Sequence, residues 1–143
     1  MDAVKTSPVG DPLRILVVDD FRPFRESLCS LFLRYEALSV VGEAADGDAA
    51  IEMAGRLAPQ IVIMDVKMPR MGGVEATRRI KSAFPGIHII AISAHEDTFL
   101  KASMRAVGSS VFVTKDRAHT LPDVIARITG RPIRSDYHFG GTS

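Results

Sequence analysis

Five residues of this chain would do chemistry together if the fold brought them to one place: Asp19, Asp20, Asp65, Ser93 and Lys115. Each stands at the end of a short apolar run. Asp19-Asp20 end Leu13 to Val18, Asp65 follows Ile61 to Met64, Ser93 follows Ile87 to Ile92, and Lys115 ends the run that begins Val111 to Val113. Three carboxylates converging on one edge repel, each close pair by about 4 kcal/mol at ~4 Å and an effective dielectric of about 20, unless a proton or cation intervenes. A bound cation is the simpler relief. All-oxygen ligands with room for water suit magnesium, and no His or Cys cluster accompanies them as zinc or copper would require. Lys115 adds a second positive charge and Ser93 a hydroxyl donor, groups that stabilise the spread charge on a phosphoryl group in transfer. Taken singly, each residue has a plainer use, because a strand-end Asp often caps the next helix and a strand-end Lys is usually solvated. Independent caps, however, have no reason to form a series of three acids, a hydroxyl and a lysine on successive strand ends.

For these residues to meet, the runs must be neighbouring strands that point the same way. Leu13 to Val18, Leu38 to Gly42, Ile61 to Met64, Ile87 to Ile92 and Val111 to Val113 are the five candidates, and the last three are too uniformly apolar for a sheet with one wet face. Between them the period changes. Phe21, Phe24, Leu28, Leu31, Phe32 and Tyr35 recur at three- and four-residue steps, with Pro23 tolerated in a first helical turn. Asp46 to Leu57 stops before Pro59, Val74 to Phe84 before Pro85, and Asp97 to Val107 at Gly108, a left-handed cap. Leu121, Ile125 and Ile128 mark a fifth helix. Five alternations of strand and helix predict an α/β fold, a doubly wound five-stranded parallel sheet with helices on both faces and ligands at the carboxyl ends of its strands.

The chain has 143 residues, 46% of them hydrophobic, which suits one compact domain and leaves no room for a second. The expected divisions are a lead over 1–12, a folded unit over 13–129 and a Gly/Pro-punctuated tail or start of a linker over 130–143. With 18 Lys+Arg against 17 Asp+Glu, the formal charge of +1 gives no long-range push toward nucleic acid or an anionic membrane. Cys29 is the only cysteine, which excludes an internal disulfide and a thiolate zinc cluster. No apolar run reaches the roughly 18 residues of a membrane span, and the first 12 residues hold no secretion signal, so a cytoplasmic location is expected.

Longer segments carry a resemblance. Ile15-Leu16-Val17-Val18-Asp19-Asp20 is similar to a first strand with its acidic pair, and Ile63-Met64-Asp65-Val66-Lys67-Met68-Pro69-Arg70-Met71-Gly72-Gly73 to a phosphoacceptor segment. With Ser93-Ala94 and Thr114-Lys115, the chain resembles the flavodoxin-like receiver domain of bacterial response regulators from about Leu13 to Ile128. The resemblance implies a two-component signalling domain, not an enzyme beyond its own autophosphorylation and autodephosphorylation. It implies Asp65 as phosphoacceptor, Asp20 as direct ligand of Mg2+, Asp19 as a mainly water-mediated one and the Lys67 backbone carbonyl as another. Ser93 and Lys115 would hold phosphoryl oxygens, and Phe112 would move inward as Ser93 is drawn to the phosphoryl group, altering the face of the fourth and fifth helices. Lys67 and His95 would occupy the variable places that tune hydrolysis, by shielding the acyl phosphate or by orienting water. Expected partners are a sensor histidine kinase or histidine phosphotransfer protein, a downstream protein or the chain's own output domain, and a second copy on phosphorylation. Direct DNA binding by this chain is not expected.

Two departures matter. Asp116 follows Lys115 where many members have Pro. The stretches Met104 to Gly108 and Thr114 to Asp116 resemble the NarL/LuxR-like subgroup, whose receivers usually precede a helix-turn-helix domain. None follows here, so a single-domain regulator and a fragment of a DNA-binding one both remain open. Rival chemistries fit less well. Phosphatases with an Asp nucleophile resemble one another in a second Asp two places on, where this chain has Lys67. An FMN carrier would need a Ser/Thr/Gly loop after its first strand, where Asp19-Asp20-Phe21-Arg22 stand. A module of the same fold that is never phosphorylated would have no need of the intact acids. His88, His119 and His138 are isolated, and Cys29, among Leu28, Leu31 and Phe32, is expected to be a small core residue.

Overall fold

β-Branched runs that cannot satisfy their backbone alone pair with one another, and here all of them pair in parallel. The computed structural model describes residues 10–135; most of the expected lead, 1–9, and the end of the tail, 136–143, lie outside the described residues. Five strands, β1 (Leu13–Val18), β2 (Leu38–Ala44), β3 (Ile61–Asp65), β4 (His88–Ser93) and β5 (Val111–Thr114), form one sheet in the order β2-β1-β3-β4-β5. Five helices connect or follow them: α1 (Arg22–Phe32), α2 (Gly47–Leu57), α3 (Gly73–Ala83), α4 (Thr98–Ala106) and α5 (Leu121–Thr129). The expected α/β, flavodoxin-like doubly wound sheet is therefore present. Its strand order reverses at β1 and β3, which opens a crevice at their carboxyl ends.

Both sheet faces are covered, which explains the absence of alternation in β3 and β4. Ile15, Val17, Ile61, Ile63, Ile90 and Ile92 pack with Leu28 and Phe32 of α1 and Leu121 and Ile125 of α5. Leu16, Val18, Val62, Met64, Ile89 and Ala91 pack on the other side with Ala50, Ala54, Ala76, Ile80 and Met104 of α2, α3 and α4. Each such large side chain contributes about 1.5–3 kcal/mol by leaving water.

Register turns this core into a positioning device. Val18 lies opposite Met64, so the next residues, Asp19 and Asp65, emerge side by side. Asp65 is opposite Ile92 and Ser93 opposite Thr114, which carries the row across the sheet. α3 approaches this edge closely. The Gly73 N–H donates to the Val66 carbonyl at 2.9 Å. A Cβ on Gly73 would overlap the Asp65 carbonyl oxygen and stand 2.8 Å from Val66 Cα.

Several ends differ from the sequence reading. Lys115 does not end β5; it opens a 3-10 turn, Lys115–Thr120, because the next three residues, Lys115, Asp116 and Arg117, offer no apolar side chain to the sheet. Phe21 is the N-cap of α1 and 59% exposed, its extended backbone holding the ring off the helix's apolar face. α2, capped by Asp46 on the Ala49 N–H, ends on Ala58 at φ 48°, a left-handed residue that is not glycine. α4 does stop at Gly108, which adopts φ 108° as the glycine signal predicted. Cys29 packs against the core as a partly buried residue and also lines a cavity of about 320 Å³ with Phe32, Leu38 and Glu43.

Candidate functional site

Asp19 is fully buried at the end of β1, and its two oxygens have different partners. Oδ1 accepts the Phe21 N–H at 2.8 Å, which is the plain capping use. Oδ2 faces the Lys115 ammonium at 2.7 Å without the alignment of a hydrogen bond. The same ammonium is 3.9 Å from Asp65 Oδ2 and 4.6 Å from the centre of the Phe24 ring. Lys115 thus bridges the ends of β1 and β3 from the β5 side. Arg25 fixes the first of these ends by donating to the Asp19 carbonyl at 2.8 Å while pairing with Glu43 at 3.2 Å.

Asp19, the exposed Asp20 and Asp65 each offer an oxygen, and the three lie within 4.8 Å of one another. Asp65 is only 4% exposed. Burial first, and the Asp19 charge second, push its carboxyl up to about 7; Lys115 pulls it only partly back. These observations are what a hard divalent cation requires: oxygen donors in reach of one point, one buried oxygen without a hydrogen bond, and surplus negative charge that a single lysine does not cancel.

The other expected residues lie on the neighbouring strands β4 and β5 and on the loops after β3 and β4. Ser93 and Thr114 are buried at the ends of β4 and β5. Phe112 is half-buried and lines a cleft beneath α4 with Lys101 and Arg105. Lys67 is exposed in the loop after β3. His95 is exposed after β4 and lines an open groove of about 430 Å³ with Thr114, Asp116 and Arg117. Among the described residues, no hydrogen bond or ion pair joins Ser93, Lys67 or His95 to the carboxylates. From the sequence Phe24 is only an apolar position of the first helix, and Arg25 is not singled out. Their place, one helical turn beyond an acidic strand end, is the signal that could have found them. The Cys29 thiol is pushed up to about 11 by burial and by Glu43, so at neutral pH it is not a nucleophile.

The raised Asp65 carboxyl makes a stability prediction. Its pKa in the unfolded chain is near 3.8 and in the fold about 7, so between these values the folded state holds the extra proton. Without divalent cations, stability from this group is present below about pH 4 and is lost as pH rises toward 7, at up to about 1.4 kcal/mol per pH unit. Urea unfolding of Asp65→Asn should lack this slope and give a more stable protein at pH 8. Equal pH profiles for wild type and variant would refute the strained carboxylate.

Comparison with known proteins agrees with the geometry. The family model for the response regulator receiver domain matches residues 15–126. The chain is 42% identical over 116 residues to protein-glutamate methylesterase/protein-glutamine glutaminase 4 of Myxococcus xanthus, covering 80% of this chain and 33% of that protein. It is 35% identical over 103 residues to the response regulator GacA of Pseudomonas viridiflava, covering 72% of this chain and 48% of that one. This chain therefore spans half or less of either relative. Among solved structures, a two-component response regulator of the LuxR family from Aurantimonas sp. SI85-9A1 matches with a TM-score of 0.77 and 33% identity, over 88% of this chain and 91% of that one.

Proposed function

Because the chain belongs to the response regulator receiver family of two-component signalling, we propose that Asp65 accepts a phosphoryl group from the phosphohistidine of a sensor kinase or phosphotransfer protein. The observation that carries this reading is the buried Asp19–Lys115–Asp65 arrangement, with the ammonium at 2.7 and 3.9 Å from the two carboxylates. A carboxylate held in place at a strand end is a ready nucleophile once its proton is removed. Attack of Asp65 Oδ on phosphorus breaks the N–P bond of the donor and forms an acyl phosphate. Lys115 then exchanges part of its contact with Asp19 for a phosphoryl oxygen, and the Ser93 hydroxyl donates to another. Asp19, Asp20, Asp65 and the Lys67 carbonyl would hold Mg2+, which would supply positive charge to offset the phosphoryl oxygens. As Ser93 is drawn toward the site, the Phe112 ring turns into the space beside it and changes the α4–β5–α5 face. The receiver unit is 13–129; signal leaves through a further domain or a separate protein, and a second copy is one such partner. No described helix is long and apolar enough to cross a membrane, and we place the domain in the cytoplasm with its kinase's phosphodonor.

Two experiments bear on the site. In a magnesium titration, Asp20→Asn is expected to weaken binding more than Asp19→Asn, since direct ligation is lost in the first and a water-mediated contact in the second. Unchanged affinity in Asp20→Asn would remove that residue from the site. For phosphoryl lifetime, Lys67→Ala or His95→Ala should change the decay rate several-fold, about 1 kcal/mol in barrier, with magnesium affinity nearly intact. An unaltered lifetime in both would mean that these exposed side chains point into solvent.

A further inference from the structure

The loop between β3 and α3 is held at its two ends. The Val66 N–H donates to the Ile92 carbonyl at 3.0 Å, and the Val66 carbonyl accepts the Gly73 N–H at 2.9 Å. Between these bonds, among the described residues, the backbone of 67–71 makes no hydrogen bond. The polar anchor of this stretch is one side chain. Arg70 donates to Asp46 Oδ2 at 3.2 Å, across to the start of α2, while Asp46 Oδ1 caps the Ala49 N–H at 2.8 Å. Beside the pair, Met71 lies against α2 so closely that a Cβ on Gly47 would stand 2.8 Å from the Met71 carbonyl oxygen. Arg70 makes its bond from an unfavourable backbone, at φ 65°, where a residue with a Cβ is strained. The ion pair does not offset that cost, because the arginine side chain is 76% exposed and exposed pairs contribute little to stability. Strain that stability does not explain, in a loop beside a charged site, points to a functional constraint.

We propose that Arg70 is a positioning residue for the divalent-cation site: its bond to Asp46 holds the loop against α2 and limits where the Lys67 carbonyl can move. The inference rests on the reading of Asp19, Asp20, Asp65 and the Lys67 carbonyl as ligands. Asp19 and Asp65 are fixed by burial at strand ends, whereas the Lys67 carbonyl stands in the stretch whose backbone has no hydrogen bond to hold it. Ordering that stretch as an ion binds costs conformational entropy, and a loop already tied down loses less. The contact uses a single N–H, not a two-pronged fork, so a lysine that reached Asp46 would serve nearly as well.

The test compares wild type with Arg70→Asn, Arg70→Lys, Asp46→Asn and the Arg70→Asn/Asp46→Asn double variant. Urea unfolding and amide hydrogen exchange are measured without metal, and magnesium binding by NMR titration. Asn tolerates a left-handed backbone and caps a helix as well as Asp does, so neither single change to Asn should lower stability. Arg70→Asn should speed exchange over 67–71 and weaken magnesium binding on the order of 10-fold, the low end for a residue that orients a ligand. Removing a cation beside the site would by charge alone tighten binding, so weakening is the sign of lost position. Asp46→Asn should act in the same direction, the double variant should lose no more than either single one, and Arg70→Lys should keep most of the affinity. Unchanged or tighter binding in Arg70→Asn, additive losses in the double variant, or a loss that tracks a fall in stability overturns the proposal. A wild type that binds no magnesium removes the cation site and this inference with it. Binding that Asp20→Asn weakens and the Arg70 and Asp46 variants leave alone removes only the positioning role.

Discussion

Lys115→Ala is expected to slow phosphoryl uptake by Asp65 on the order of 10²-fold with a small phosphodonor, the loss typical when one preorganised donor to a developing anion is removed. The ammonium sits between Asp19 and Asp65, at 2.7 and 3.9 Å, and is held on its third side by the Phe24 ring at 4.6 Å. It needs only to give up part of its Asp19 contact to meet an incoming oxygen. Removing it also leaves the Asp19 and Asp65 carboxylates facing each other without their lysine, so the variant should bind Mg2+ at least as tightly while reacting slowly. Stopped-flow uptake kinetics beside a magnesium titration separate these effects. A fast variant would show that Lys115 serves only as an ion-pair partner of Asp19.

Gly73→Ala is expected to destabilise the domain by about 2–4 kcal/mol in urea unfolding, well beyond an ordinary surface substitution. The cause is contact with backbone, not with a flexible side chain: the added methyl would overlap the Asp65 carbonyl oxygen and crowd Val66 Cα at 2.8 Å. Relief requires α3 to withdraw from the end of β3, which breaks the Gly73 N–H bond to Val66 and shifts the loop carrying Lys67. The variant should therefore lose magnesium affinity as well as stability. Gly86→Ala, where a Cβ meets nothing within 4 Å, is the matched control. Equal stability of the two variants would contradict the close approach of α3.

Much of the site was legible because topology does the assembling. Once Leu13 to Val18, Ile61 to Met64, Ile87 to Ile92 and Val111 to Val113 are parallel neighbours, the residues that follow them must share an edge, whatever their side chains do. The uniform apolarity of β3 and β4 announced a sheet covered on both faces, and that is how their side chains are divided. What the sequence hid depends on tertiary direction. Phe24 read as one more apolar position of α1, yet its ring also lies beneath the Lys115 ammonium. Arg25 carried no signal in the sequence, yet it reaches back to the Asp19 carbonyl. Ala58 has a left-handed backbone with no glycine to signal it, ahead of a Pro59 that marked only the end of the helix. Gly73 read only as the end of the phosphoacceptor-like segment; its necessity comes from how near α3 comes to β3.

Intact-mass spectrometry after incubation with a small phosphodonor, with and without Mg2+, on wild type and Asp65→Asn, tests the central claim most directly. The expected result is one added phosphoryl group on the wild type, dependent on Mg2+ and lost at alkaline pH as acyl phosphates are, with none on Asp65→Asn. Equal labelling of Asp65→Asn, or a wild type that stays unlabelled with Mg2+ and donor in excess, would contradict it.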